Sequence, residues 1–391
     1  MTVTGRDRHR PNGHHAIQKV GRGGAVLLLA APLFLGGCSG NTNSSGPAAP
    51  LPTGQTGSIS PNSGNDGNCY VSDTSACAAS SYTGANSITA LATLEGTGTS
   101  NYLYLGDSAG DIEYSVTSTN APTTAPTQCG TESGTKILAL AANSTALLYA
   151  TSGGIYITGS TTCSTGSQPT SISSSITNVS GLTYAAGEFV GVTSKAQYFT
   201  CSTGSCTPLQ RLPSLQDTSP NITAIASDPN PTRSLVYILS IGASTNRIYF
   251  YYVSGNTLTY LGNYSGLELN YPSGIALFRG ANPTQNFCTS APCTFMDVTN
   301  TGNSTITQYV VSRSGSGAQT SVSVNQFNNA YFDCDLINSA AIAAFPNYRS
   351  SNLLLPTPDV FVGEQGLSSG PCLGASGTFG NNVTAYTVVG E

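Results

Sequence analysis

Three acids fall within seven positions in GDSAGDIEYS, residues 106–115. Asp107 and Asp111 are of the type that ligates Ca²⁺, and such a pair could also do acid–base work. A dedicated Ca²⁺ loop needs a longer ladder of oxygen ligands ending in a glutamate at its twelfth position, and this stretch lacks one. The competing reading, which we favour, is a polar hairpin turn in which Asp and Gly serve for their tolerance of unusual backbone angles. Asp333 and Asp335 flank Cys334 and form a second acidic pair ahead of an apolar run. Glu95, Glu188, Asp228 and Asp297 also lie near the ends of apolar runs, with nothing that places two of them together. No catalytic residue is assigned.

Asparagine recurs just before five similar apolar runs, at Asn86, Asn178, Asn221, Asn270 and Asn338. A ring of such amides could bind a sugar or help hold a cation. The plainer alternative is that each Asn side chain caps the turn into a strand. No glycine-rich loop opens a helix, so there is no nucleotide-binding fingerprint.

The first 24 residues carry Arg6, Arg8, Arg10, Lys19 and Arg22 against one acid, Asp7, and the run AVLLLAAPLFL (25–35) follows. Eleven apolar residues are too few for a bilayer core that needs about 20 in a helix. A basic stretch, a short apolar run and small residues at its end describe a secretory signal over residues 1–37, longer at its start than such signals need. Leu35-Gly36-Gly37-Cys38 resembles the lipobox of bacterial lipoproteins. That resemblance implies acylation of Cys38, cleavage before it, and attachment to a lipid bilayer. With Ser39 rather than aspartate after the cysteine, it implies the outer membrane, on either the periplasmic or the surface side.

Removing residues 1–37 takes His9, His14 and His15, all the histidines in the chain. Histidine-dependent triads and histidine-bound zinc are thereby excluded from the mature chain. Five of the 13 basic residues and one of the 18 acids also go, leaving 8 and 17 and a net charge near −9. That balance excludes nucleic acid as a partner, since its binding needs basic stripes. No cofactor is expected, Ca²⁺ being the one candidate.

Ten cysteines remain after Cys38, an even number, and in an exported protein this predicts five disulfides. Proximity suggests Cys69–Cys77, Cys129–Cys163, Cys201–Cys206, Cys288–Cys293 and Cys334–Cys372. Metal ligation is the rival, but these are not CxxC spacings.

Residues 38–66 are rich in Gly, Ser and Pro and read as a lipidated cysteine with a flexible tether. From residue 67 to 391 a three-run pattern repeats six times. The first runs are ITALA (88–92), ILALA (137–141), GLTYA (181–185), ITAIA (222–226), GIALF (274–278) and AAIAA (340–344). Each is followed by two more short runs rich in Ile, Val, Tyr and Thr and bounded by turn residues, as strands are. TLTYLGNY (257–264) and SVSVNQF (321–327) read as fourth strands. This all-β pattern resembles a β-propeller of about six blades, with the small apolar runs innermost and GNCYVSD (67–73) completing the last blade. A β-sandwich with a second β-domain is the structural alternative.

The membrane-tethered propeller lipoprotein of the outer-membrane barrel-assembly machinery is an analogue in architecture only. The tether, the repeats and the poverty of catalytic residues point to a binding module for a protein or glycan partner in the cell envelope. Gluconolactonase-like propellers imply the alternative, a Ca²⁺-dependent lactonase, glycan hydrolase or lyase using carboxylates. A purely structural envelope role is the third reading.

Overall fold

The computed structural model describes residues 58–61, 68–69, 87–95, 101–117, 127–131, 135–159, 169–217, 219–280, 293–303, 305–332, 339–345, 359–364 and 383–389. Their strands form six antiparallel sheets. The first four strands after residue 87 are β3 (Ile88–Glu95), β4 (Asn101–Asp107), β5 (Asp111–Thr117) and β6 (Thr127–Thr131), making blade one. Blade two holds β7 (Ala139–Ala142), β8 (Leu147–Thr151), β9 (Gly154–Thr158) and β10 (Thr170–Ser173). Blade three holds β11 (Val179–Ala185), β12 (Glu188–Thr193), β13 (Gln197–Cys201) and β14 (Gln210–Arg211). Blade four is β15 (Asn221–Ser227), β16 (Leu235–Ile241), β17 (Arg247–Ser254) and β18 (Thr257–Tyr264). Blade five is β19 (Pro272–Gly280), β20 (Cys293–Asn300), β21 (Thr305–Ser314) and β22 (Ser321–Phe332).

The sixth sheet differs in how it is completed. It orders β23 (Ser339–Ala344), β24 (Asp359–Glu364) and β25 (Val383–Val389), and its outer strand comes from the N-terminal side of the domain. Two short pieces, β1 (Ser58–Pro61) and β2 (Asn68–Cys69), pair antiparallel with β25, Ser58 opposite Val389 and Cys69 opposite Thr384. The closing segment therefore starts earlier than GNCYVSD, inside the stretch read as tether. Pro61 is tolerated because an outermost strand has an edge that needs no donor.

The innermost strands touch in sequence, β3 to β7, β11, β15, β19 and β23, and β23 returns to β3. The chain is thus a closed β-propeller, not a sandwich. Each junction has its own apolar cluster. Val236 and Ile238 of β16 face blade three, while Leu235, Tyr237 and Leu239 face blade five. Ile88, Leu91, Leu103 and Leu105 meet Ala341, Ala343 and Phe345 where blade six meets blade one. Both faces of each small sheet are buried this way, which a lone sheet of strands this short cannot achieve.

In five blades the pairing of the first two strands slips by one residue near the start of the inner strand, at Thr89, Ser180, Thr223, Ser273 and Ala340. Such bulges bend a strand and re-aim its side chains. At two of them the freed hydroxyl stitches neighbouring blades together. Thr89 donates to the Ile137 carbonyl and Thr223 to the Pro272 carbonyl at 2.8 Å. The next position is small because the following blade presses on it: a Cβ on Gly181 would meet Ile225 at 2.9 Å.

The Cys201–Cys206 disulfide is present. Cys293 is disulfide-bonded as well, and its expected partner Cys288 lies outside the described residues. Cys77, Cys163, Cys334 and Cys372 also lie outside them, so those three pairings stay expectations. No helix among the described residues is long and apolar enough to cross a membrane.

Candidate functional site

The face at which the inner strands begin is here the upper face, and the face at which they end is the lower face. A cavity of about 610 Å³ occupies the channel toward the lower face. Its wall is layered by the repeat. One aliphatic side chain comes from each inner strand: Leu91, Leu140, Leu182, Ile225, Ile275 and Ile342. Two residues on lies a second layer of Thr93, Ala142, Tyr184, Ser227, Leu277 and Ala344. Tyr184 is the one aromatic in that layer and is 36% exposed. Its ring is braced edge-on by Phe189, with centroids 5.1 Å apart.

Among the described residues, the mouth is formed by the turns that follow the inner strands of blades two, three and four. Asn143 folds its Oδ1 back onto its own turn, accepting from the backbone of Thr145 at 2.9 Å and of Ala146 at 2.7 Å. Asn230 accepts through Oδ1 from the Thr232 backbone at 3.2 Å and the Thr232 hydroxyl at 2.8 Å. These bonds fix which end of each amide is oxygen, so each Nδ2 is held as a donor. Neither Nδ2 has a partner among the described residues. Ala186 and Ser234, also in the lining, hold positive φ angles of 54° and 52°. Left-handed backbone in residues with a Cβ is sparsely populated and gathers at functional sites.

Two of the carboxylates singled out from sequence, Glu95 and Asp228, line this cavity. Asp228 is committed to structure: it accepts from the Asn230 backbone at 2.9 Å and from the Tyr237 hydroxyl at 3.1 Å, and it pairs with Arg313 of blade five. Burial, with the Asp228 charge beside it, pushes the Tyr237 phenol above the usual tyrosine range. Glu188 begins β12, and its Oε2 is buried without a partner among the described residues.

Asp297 is elsewhere, fully buried in β20 on the side facing blade six and opposite Gln308 in register. Neither side chain makes a well-formed hydrogen bond among the described residues. Burial pushes the Asp297 carboxyl up to about 8, against an opposing pull from the Gln308 amide.

The remaining sequence candidates lie apart from this cavity. Asp107 is buried, and its Oδ1 accepts from the backbones of Ala109, Gly110 and Asp111 at 2.9, 2.8 and 2.8 Å, closing the hairpin turn. Asp111 contributes that backbone donor and opens β5. Asp333 and Asp335 lie outside the described residues, as do Asn86 and Asn338. Asn178, Asn221 and Asn270 sit at the upper face. Asn178 has a positive φ of 57° and its carbonyl accepts from Ser194, while Asn221 begins β15. The Asn270 backbone donates to the Asn300 side chain at 3.0 Å. The structure does not bring these amides together with the acids of the lower mouth. Among the described residues, no group of three His, Cys, Asp or Glu is placed to hold a metal ion.

The upper face carries a feature that sequence reading missed. The connection from blade four to blade five exposes Leu267 completely and Tyr271 by 59%. It is nevertheless tied down. Glu268 Oε1 accepts from Tyr264 at 2.7 Å and from Tyr309 at 3.1 Å, and Asn246 donates to the Leu269 carbonyl at 2.8 Å. Thr301 donates to the Tyr271 carbonyl through its backbone at 3.1 Å and its hydroxyl at 2.9 Å. Tyr271 itself sits at φ 50°.

Set against solved structures, the chain aligns with the N-terminal domain of Nup159 at 8% identity over 74% of each chain, with a TM-score of 0.38. A Dbp5 complex with Nup159 and Gle1 from S. cerevisiae aligns at 8% identity over 74% of each chain, with a TM-score of 0.37. No protein-family model matches the sequence, and neither does any curated protein.

Proposed function

We propose that this chain is an outer-membrane lipoprotein, held to the bilayer through acylated Cys38, whose propeller presents a binding face to a protein partner in the cell envelope. The observation that carries the reading is the pair Leu267 and Tyr271. They are exposed apolar side chains on a connection whose backbone is already fixed by hydrogen bonds. A fixed apolar anchor loses little conformational freedom on binding, which is how a few residues come to dominate an interface.

Anchoring is supported by the lipobox residues and agrees with the direction of the chain. Ser58 pairs with Val389, the last residue of a strand that runs toward the lower face. The tether therefore joins the ring at the edge of its lower face, on the opposite side from Leu267. Read as a flexible coil, the 20 residues from Cys38 to Gly57 average about 25 Å end to end. A protein is the partner argued for at Leu267, because a fixed, exposed apolar pair is the kind of anchor that protein interfaces use.

The test has two arms. Cys38→Ser should release the protein from the membrane fraction or leave it unprocessed, and retention of mature protein would overturn the anchoring. Photo-crosslinking in intact cells through a probe at position 267 should trap one specific envelope protein. Recovery of nothing beyond abundant neighbours would remove the binding-face reading.

A further inference from the structure

We infer that the lower mouth of the channel is a binding site for a neutral saccharide, with Tyr184 as the stacking platform and Asn143 and Asn230 as hydroxyl-directed donors. This deepens the binding-module reading and rests on it. It concerns the opposite face of the ring from Leu267 and a different class of ligand.

Three features of the cavity select that chemistry. Among the described residues no basic side chain lines it, so nothing in the described lining would neutralise a phosphate, sulfate or carboxylate ligand. Of the two carboxylates among the described lining residues, Asp228 is already paired with Arg313, so the described lining is not a strong cation trap either. In its described lining a partly exposed phenol ring on blade three lies between amides on the two flanking blades, above a wall of aliphatic side chains. A pyranose has a matching build, with an apolar face of C–H groups that packs on an aromatic ring and hydroxyls around its edge that accept from N–H donors. At about 610 Å³ the cavity is within the usual range for small-molecule sites.

The donors are also prepared in advance. Each amide oxygen is consumed within its own turn, so the amide nitrogen is oriented before a ligand arrives and little freedom is lost on binding. Strained backbone at Ala186 and Ser234 lies in the same lining. Within blade three, Tyr184 occupies a position where the other five inner strands carry Thr, Ala, Ser, Leu and Ala. A repeat that needed only to close its channel would have no use for one exposed aromatic there.

The experiment uses the full chain, extracted in a zwitterionic detergent because alkyl-glycoside detergents would compete. It is applied to an array of neutral hexose and N-acetylhexosamine oligosaccharides, and the best-retained oligosaccharide is then titrated calorimetrically. Tyr184→Ala should weaken that affinity at least tenfold, whereas Tyr184→Phe, which keeps the ring, should stay within about threefold of the parent. Asn143→Asp and Asn230→Asp keep the turn-closing oxygen and exchange the N–H donor for a charged acceptor, and each should weaken binding about fivefold or more with an unchanged melting temperature. Binding that ignores Tyr184→Ala and both Asn→Asp changes would overturn the site. So would retention of no neutral oligosaccharide, or of anionic ones alone. The two readings fail separately: Leu267→Asp should abolish partner crosslinking without altering saccharide affinity. Loss of the saccharide result alone removes this inference and leaves the upper-face reading in place.

Discussion

Asp297 shows what one buried carboxyl does to this fold. It sits among Phe295, Ile306 and Val310 on the blade-five side of the junction with blade six, where its charged form is strongly disfavoured by lost hydration. Its pKa in the folded protein is about 8, against roughly 3.9 in an unfolded chain. The folded state therefore holds a proton that the unfolded state releases between these values. The stability contribution is fully present below about pH 4 and declines as pH rises toward 8, by about 1.4 kcal/mol per pH unit. Asp297→Asn removes the titration, so the variant should overtake the parent progressively between pH 5 and pH 8. Parallel melting curves for the two proteins across that range would show that the carboxyl does not titrate there.

Asp228 and Arg313 make the opposite case, two buried charges that depend on each other. Arg313→Met strands the Asp228 carboxylate and should lower stability by about 3–5 kcal/mol. Adding Asp228→Asn to that variant should recover much of the loss, and a strictly additive double mutant in denaturant unfolding would refute the coupling.

Among the elements, the strands that bury both faces were legible in the sequence, as were the long fourth strands of blades four and five, whereas the short outer strands of blades two and three were not. All eighteen apolar runs fall on the first three strands of the six blades, because each such strand must feed side chains to two neighbouring blades and so reads as a near-continuous apolar segment. The inner run ILALA is offset, the strand beginning only at Ala139. Outer strands such as TSIS in blade two and Gln210–Arg211 in blade three face solvent and carry no such pattern. Tyr184 was legible only once the inner strands were aligned in register, and the Leu267 loop was hidden because exposure is not encoded in composition. The recurring Asn was visible, but its partners depend on turns that only the fold supplies.

The inner-strand bulges yield a prediction at this scale. Thr223→Val keeps the shape and removes the donor to Pro272, so the carbonyl loses its partner and stability should fall by about 1–2 kcal/mol. The Cys201–Cys206 bridge closes so short a loop that its loss should cost only about 2 kcal/mol on chain-entropy grounds. Denaturant midpoints of Thr223→Val and of Cys201→Ser with Cys206→Ser measure both, and unchanged midpoints would contradict the assigned roles.

For the whole molecule, closure of the ring is what turns six marginal sheets into one cooperative body. Deleting residues 58–69 strips β1 and β2 from β25 and leaves an open strand edge, a template for pairing with other chains. Such a variant should melt at lower temperature and form concentration-dependent oligomers, whereas the parent should unfold in one transition. A deletion that melts like the parent and stays monomeric would mean the ring is held by other contacts.

The central claim is that this closed ring presents its upper face to an envelope protein from a lipid anchor on the other side. Crosslinking mass spectrometry on intact cells, with a tagged copy at native level, tests it most directly. Lys136 and Lys195 are the only lysines after Cys38, so a photoactivated probe at position 267 is the suitable reagent. The account predicts one specific envelope protein, joined through the Leu267–Tyr271 connection and lost when Leu267 is replaced by Asp in a copy probed at position 271. An unchanged crosslink pattern in that variant, or no specific partner at all, would contradict it.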